Sequence, residues 1–255
     1  MKKTKKLIVG NWKMNLTTLR EAKSLFSKIK QLSTKFKNIK TIVCSPATFL
    51  YSFKSKNTSN FSLGAQDVFY ESQGAFTGQI SPISLRDAKV KYVLVGHSEK
   101  RITGETNEIV AKKIGACIKY ILTPIVCIGE LIRDEEGNYM SFLRTQITES
   151  FCGIPRSVLG RIIVAYEPLW AIDKLAKREA TIEEANETII FIRKILSDIF
   201  DLTSTQNIPI LYGGSVNIKN AKDFLSAHSI DGLLVGRVSL DLKEFEQILK
   251  IADSI

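Results

Sequence analysis

The chain has 255 residues, with 36 Lys+Arg against 26 Asp+Glu for a net charge of +10, and its 44% hydrophobic and 24% charged residues are ordinary globular values. No apolar run approaches the roughly 18 residues that cross a bilayer, which excludes an integral membrane protein of helical type. The basic excess favours an anionic partner, a phosphorylated metabolite or a nucleic acid, without choosing between them.

At the start, Met1 to Lys6 could open a signal peptide, but only Leu7 to Val9 follow before Gly10-Asn11-Trp12-Lys13. That is too short for a secretory h-region, so a cytoplasmic protein is expected. From there, short apolar runs predict eight strands, at 7–9, 41–44, 61–65, 92–95, 125–128, 162–165, 208–212 and 233–235. They are continuous rather than alternating in polarity, as in parallel strands buried on both faces. Helical periodicity fills the intervals. Thr18 to Glu21 and Thr181 to Glu184 are T-x-x-E capping boxes, and the second opens a stripe of Ile182, Ala185, Ile189, Ile192, Leu196 and Ile199.

A strand and helix recurring about every 30 residues matches a βαβ unit. With no Pro/Gly/Ser linker to divide the chain, residues 1–255 read as one α/β domain. Eight such units suggest a closed (β/α)₈ barrel, with an open doubly wound sheet as the competing arrangement. The dinucleotide form of that sheet wants G-x-G-x-x-G after the first strand, which Gly10-Asn11-Trp12 does not supply. P-loop and G-x-S-x-G signatures are also missing. Cys44, Cys117, Cys127 and Cys152 form no C-x-x-C pair, and three of them sit in apolar stretches, so buried free thiols are expected. His97 and His228 are the only histidines, too few for a three-His zinc site, so no metal is expected. The basic clusters at 2–6, 35–40 and 174–178 lie far apart, with Phe36 the one interleaved aromatic, and read as solvated faces rather than a nucleic-acid surface.

In a barrel, chemistry lies just beyond the C-terminal ends of the strands. Lys13 follows the first strand, His97 the fourth and Glu167 the sixth, so residues remote in sequence could meet around one mouth. A Lys in such a place is usually solvent-facing, and His97 reads equally as a buried structural residue or a catalytic one. Glu167 points to function, because a carboxylate ending a buried strand must be desolvated or paired. Gly213-Gly214-Ser215 and Gly236-Arg237 each precede an expected helix, so their N–H groups could cradle a phosphate. Ordinary left-handed turn glycines are the plain alternative.

Seven words occur in order along the chain: Gly10-Asn11-Trp12-Lys13-Met14-Asn15, Gly74-Ala75-Phe76-Thr77-Gly78, Val95-Gly96-His97-Ser98-Glu99, Cys127-Ile128-Gly129-Glu130, Ala165-Tyr166-Glu167-Pro168, Tyr212-Gly213-Gly214-Ser215-Val216 and Asp231-Gly232-Leu233-Leu234-Val235-Gly236. Together they resemble the triosephosphate isomerase family over essentially the whole chain. The resemblance implies a TIM barrel that interconverts dihydroxyacetone phosphate and glyceraldehyde 3-phosphate, in glycolysis and gluconeogenesis, as a homodimer without cofactor. It implies Glu167 as the base and Lys13 as a fixed cation, with Asn11 holding the Lys13 loop and Glu99 beside that Lys. His97 becomes a neutral electrophile, by pKa logic already known for this family and so taken over from it rather than predicted. Asn11, Lys13, Asp173, Ser215, Gly236 and Arg237 become the substrate-binding residues.

Two loops depart from the family. Its lid reads roughly Trp-Ala-Ile-Gly-Thr-Gly, whereas here Trp170-Ala171-Ile172 runs into a longer segment from Asp173 without either glycine. A carboxylate about 5 Å from a phosphate charge would cost about 3 kcal/mol at an effective dielectric near 20, so Asp173 must turn away or be offset by its basic neighbours. Arg237 stands where the family has Gly. A phosphate-binding pseudoenzyme with an impaired lid is therefore a second reading. The family loop matching 74–79 enters the other subunit, and Gln79 and Lys100 stand where the family has Glu and Arg. A hydrogen bond in place of that ion pair is expected, with the dimer retained through Thr77 and its apolar neighbours.

Overall fold

The computed structural model describes residues 5–53, 57–172, 176 and 178–255. Helices separate the strands except between β2 and β3, where a 3₁₀ turn over Ala47–Ser52 stands in place of the expected helix: β1 (Lys6–Asn11), α1 (Leu19–Ser33), β2 (Ile39–Ser45), β3 (Phe61–Ala65), α2 (Pro82–Asp87), β4 (Tyr92–Val95), α3 (Ser98–Ile102), α4 (Asn107–Lys119), β5 (Thr123–Ile128), α5 (Asn138–Ser150), β6 (Ile163–Tyr166), α6 (Ile182–Ile199), α7 (Leu202–Thr205), β7 (Ile210–Tyr212), α8 (Ala221–Ser226), β8 (Gly232–Val235) and α9 (Leu242–Ser254). The eight strands pair in chain order and close into a barrel. All neighbours are parallel, and the seam sets Leu7 against Gly232 and Gly10 against Val235. All the expected strands are present. β6 starts one residue later than expected, because the Ile162 N–H is taken by the Leu159 carbonyl (3.0 Å). β7 starts at Ile210, since Pro209 has no N–H to give and the Ile208 N–H goes to Thr205 (3.0 Å).

Caps explain where the helices begin. Thr181 forms both halves of its capping box with Glu184. At α1 only half of the expected box forms: the Glu21 N–H donates to Thr18 Oγ1 (3.3 Å), but the Glu21 carboxylate takes the Thr18 hydroxyl (2.8 Å) rather than the backbone N–H. Asp241 caps α9 by accepting from the Lys243 and Glu244 N–H groups. Along α6, Ala185, Ile189, Ile192 and Leu196 are buried with Thr188 and Ile195, while Ile182 and Ile199 at the helix ends are half-buried.

Two apolar layers result. One fills the barrel with Val9, Ile42, Leu94, Ile125, Leu211 and Leu234, and the larger lies between strands and helices. Strands buried on both faces are why their apolar runs do not alternate. Each fully buried Ile or Leu contributes about 1.5–3 kcal/mol, which makes the barrel a rigid base for the loops at its mouth. Cys44, Cys117 and Cys127 are buried free thiols as expected, whereas Cys152 is exposed. Among the described residues no helix is long and apolar enough to cross a membrane.

Candidate active site

Lys13, His97 and Glu167 all lie just beyond strand ends, and the barrel brings them to one mouth. Asn11 closes β1, and Lys13 follows in the left-handed region with φ 48°. A non-glycine residue there costs about 1–2 kcal/mol, so the surroundings must hold it. The Lys13 N–H donates to Asn11 Oδ1 (3.0 Å), and Gln66 Nε2 donates to the Lys13 carbonyl (3.0 Å). The Lys13 Nζ lies 2.9 Å from Glu99 Oε1.

His97 is the N-cap of α3, and its Nδ1 accepts the Glu99 N–H at 3.2 Å. A ring nitrogen that accepts carries no proton, so the neutral imidazole holds its hydrogen on Nε2. Nε2 lies 3.2 Å from Glu167 Oε1 and 3.3 Å from Asn11 Nδ2. Two donors cannot bond to each other, so Nε2–H is directed at Glu167, and Asn11 only packs against the ring. The other Glu167 oxygen accepts the Ser98 N–H (3.2 Å) from the first turn of α3. Glu167 is 3% exposed and His97 7%, so the carboxylate is both desolvated and paired.

Three residues already named in the sequence turn out to be neighbours of Glu167. A Cβ on Gly129 would sit 1.8 Å from the Glu167 carbonyl oxygen, and one on Gly213 would sit 3.1 Å from Glu167 Cγ. These glycines leave room for the base. Burial pushes the Cys127 thiol well up, and the adjacent Glu167 carboxylate adds to the effect, so the thiol stays protonated and unreactive. No local signal ties the three to Glu167, because the contact exists only once β5, β6 and β7 are side by side.

A cavity of about 440 Å³ joins Asn11, Lys13, His97 and Glu167 to the loops after β7 and β8, including Ser215, Gly236 and Arg237. The expected helices do not follow those loops directly. α8 begins only at Ala221, and a single 3₁₀ turn over Arg237–Leu240 follows Gly236. Gly213, Gly214 and Gly236 do not have left-handed φ either, so the plain turn explanation fails. Ser215 Oγ donates to the Ala171 carbonyl (2.9 Å), tying the loop after β7 to the end of the Glu167 loop. Arg237 is exposed on the cavity rim. Asp173 lies outside the described residues. Glu179, which sequence reasoning did not single out, also lines the cavity, and its carboxylate accepts from Asn217 Nδ2 (3.3 Å) and Asn220 Nδ2 (3.2 Å).

A sequence profile described as triosephosphate isomerase matches residues 6–252. A triosephosphate isomerase of Dehalococcoides mccartyi is 45% identical over 252 residues, 98% of each chain. That of Dictyoglomus thermophilum is 41% identical over 96% of this chain and 99% of its own, and that of Endomicrobium trichonymphae is 41% identical over 96% and 98%. Nothing in these likenesses favours a barrel that has lost its activity. With a closed eight-stranded barrel, a buried carboxylate and imidazole in contact at its mouth, and relatives that match end to end, the chain belongs to the triosephosphate isomerase family.

Proposed function

We propose that the chain interconverts dihydroxyacetone phosphate and glyceraldehyde 3-phosphate through an enediolate, with Glu167 as base, His97 as electrophile and Lys13 as fixed cation. The observation that carries this reading is the buried Glu167 Oε1–His97 Nε2 contact of 3.2 Å in a cavity that Lys13 also lines. At rest the base occupies the hydrogen that the electrophile must give to substrate. When the substrate carbonyl oxygen takes the Nε2–H, the Glu167 carboxylate is released and turns to the C–H proton next to that carbonyl. The C–H bond breaks, its electron pair forms the carbon–carbon double bond, and the carbonyl oxygen becomes the enediolate oxygen. His97 and Lys13 stabilise that charge where burial strengthens every electrostatic contact. Glu167 then returns the proton to the neighbouring carbon while the proton of the adjoining hydroxyl passes to the enediolate oxygen, leaving the new carbonyl, so no outside reductant or cofactor enters.

The phosphate falls to the loops of Ser215, Gly236 and Arg237, with Asp173 carried over from the family likeness. Asn11 keeps the Lys13 loop in place. All of this belongs to a single domain of residues 1–255 acting in the cytoplasm, in glycolysis and gluconeogenesis. A homodimer is supported by the exposed loop 74–79, whose Phe76 is 41% exposed, by Met14 at 90%, and by a groove of about 340 Å³ that runs from Lys13 past Met14 to Gln79 and Lys100. Lys100 pairs with Asp67 of its own chain (2.9 Å), so a partner loop would dock there by apolar contacts and hydrogen bonds. The test is a coupled assay on purified protein. Turnover of glyceraldehyde 3-phosphate unaffected by chelator is expected, whereas tight binding of a phosphate-bearing analogue without turnover would mark a pseudoenzyme.

A further inference from the structure

Glu167 and Ser98 line not one cavity but two. The second, of about 140 Å³, lies between α3 and α5, floored by Cys127, Ile128 and Gly129 at the end of β5. Its rim is formed by Ile102, Leu131 and Phe142, which are 72%, 59% and 45% exposed. Large apolar side chains left open around a concave space mark a binding surface more often than chance exposure does.

Several polar groups of this cavity are already paired. The Arg101 guanidinium donates to the Gly96 carbonyl (2.8 Å), to Asn107 Oδ1 (2.5 Å) and to the Cys127 carbonyl (3.4 Å). Gln146 is closed on Gly129, accepting its N–H (2.9 Å) and donating to its carbonyl (3.3 Å). The Ile128 carbonyl takes the Glu167 N–H (2.8 Å). A polar guest would find no free partner in these groups. A space of this kind takes apolar guests, as engineered cavities of about 150 Å³ lined by apolar side chains take benzene.

We propose that this rear cavity binds a small uncharged apolar molecule of about benzene size, and that its occupancy slows proton transfer by holding Glu167 at rest. Glu167 forms part of the cavity wall while its carboxylate rests on Ser98 N–H and His97. When the carboxylate turns toward substrate that wall withdraws, and a guest loses contact with it. The guest therefore has higher affinity for the resting arrangement, and a ligand shifts an equilibrium by that difference alone. By reciprocity, a substrate analogue that draws Glu167 forward weakens the guest by the same factor. The kinetic part rests on Glu167 being the base, and the binding part does not.

Fluorobenzene is a suitable probe, with binding read from its fluorine line width and isomerase turnover measured in parallel. Saturable binding is expected, with KM rising because probe and substrate weaken each other by the same factor, and with kcat falling through the ternary complex in which the probe holds Glu167 at rest. Ile102→Ala and Leu131→Ala should each keep basal turnover and weaken fluorobenzene by at least about threefold. A hydroxamate bound in front should also weaken it. Absence of saturable binding, or binding indifferent to both rim substitutions, would overturn the site whatever Glu167 does. A rise in KM that neither rim substitution relieves would place the probe in the front cavity and overturn it too. Intact rear binding with kcat and KM both unchanged would overturn the coupling to Glu167.

Discussion

Glu167 and His97 meet as acid–base partners because each is held from its own strand end, and single substitutions separate their roles. Glu167→Gln keeps the side-chain shape and removes only the proton acceptor. It should bind a substrate analogue normally and lose about 10²–10⁴-fold in turnover; activity within threefold of the unaltered protein would show that the base lies elsewhere. For the electrophile, His97→Gln should depress kcat by about 10²–10³-fold and move KM far less, and a pure KM effect would count against the assignment. Gly213 offers a subtler case. A Cβ there would lie 3.1 Å from Glu167 Cγ and 3.2 Å from the Tyr166 carbonyl. Gly213→Ala should therefore shift the base rather than unfold the barrel, with kcat down about ten- to hundredfold and thermal stability nearly unchanged. A large loss of stability with normal kcat would mean that the glycine serves the backbone instead.

At the scale of elements, the loop after β6 is anchored at both ends. Trp170 Nε1 and Tyr166 Oη donate to Glu130 Oε1 at 2.7 and 2.8 Å. On the return side, Arg178 Cζ lies 4.8 Å from the centroid of the Trp170 ring, and the guanidinium forks onto Glu184 at 2.6 and 2.7 Å. The fork holds the Glu184 carboxyl down to about 2, with burial opposing and the Thr181 N–H assisting. A depressed carboxylate pKa stabilises the fold above its ordinary value near 4.5, and that contribution is lost as pH falls toward about 2. Because the pair is largely solvated, screening keeps its contribution at neutral pH small. Urea unfolding of the native chain and of Glu184→Gln at successive pH values should show a stability gap at neutral pH that closes through this acid window. A gap independent of pH would mean that the charge contributes nothing.

For the whole molecule the open question is assembly. Loop 74–79 and Met14 stand out from the barrel, and Phe76 and Met14 remain 41% and 90% exposed. Equilibrium sedimentation should show a dimer at micromolar concentration. Only monomer would overturn the docking of loop 74–79 on a second copy, and with it the reading of the groove beside Lys13.

Strand number and the approximate place of each strand were determined by the sequence alone, because apolar runs, capping boxes and turn residues act over a few neighbours, whereas the order of the strands in a closed barrel was decided only by the tertiary structure. Lys13, His97 and Glu167 could be picked out for that reason: each follows a strand directly. What they touch was decided only by closure. Nε2 of His97 points at Glu167 because the first turn of α3 supplies the Glu99 N–H to the opposite nitrogen and brings the Ser98 N–H to the carboxylate. Gly129 and Gly213 look like turn glycines in the sequence, yet the approach of Glu167 is what requires them. Glu179 has no sequence signal at all, since its carboxylate enters the cavity through Asn217 and Asn220 of another loop. Hydrogen bonds and steric contacts fade within a few ångströms, so partners remote in sequence become definite only when the barrel sets the distance between them.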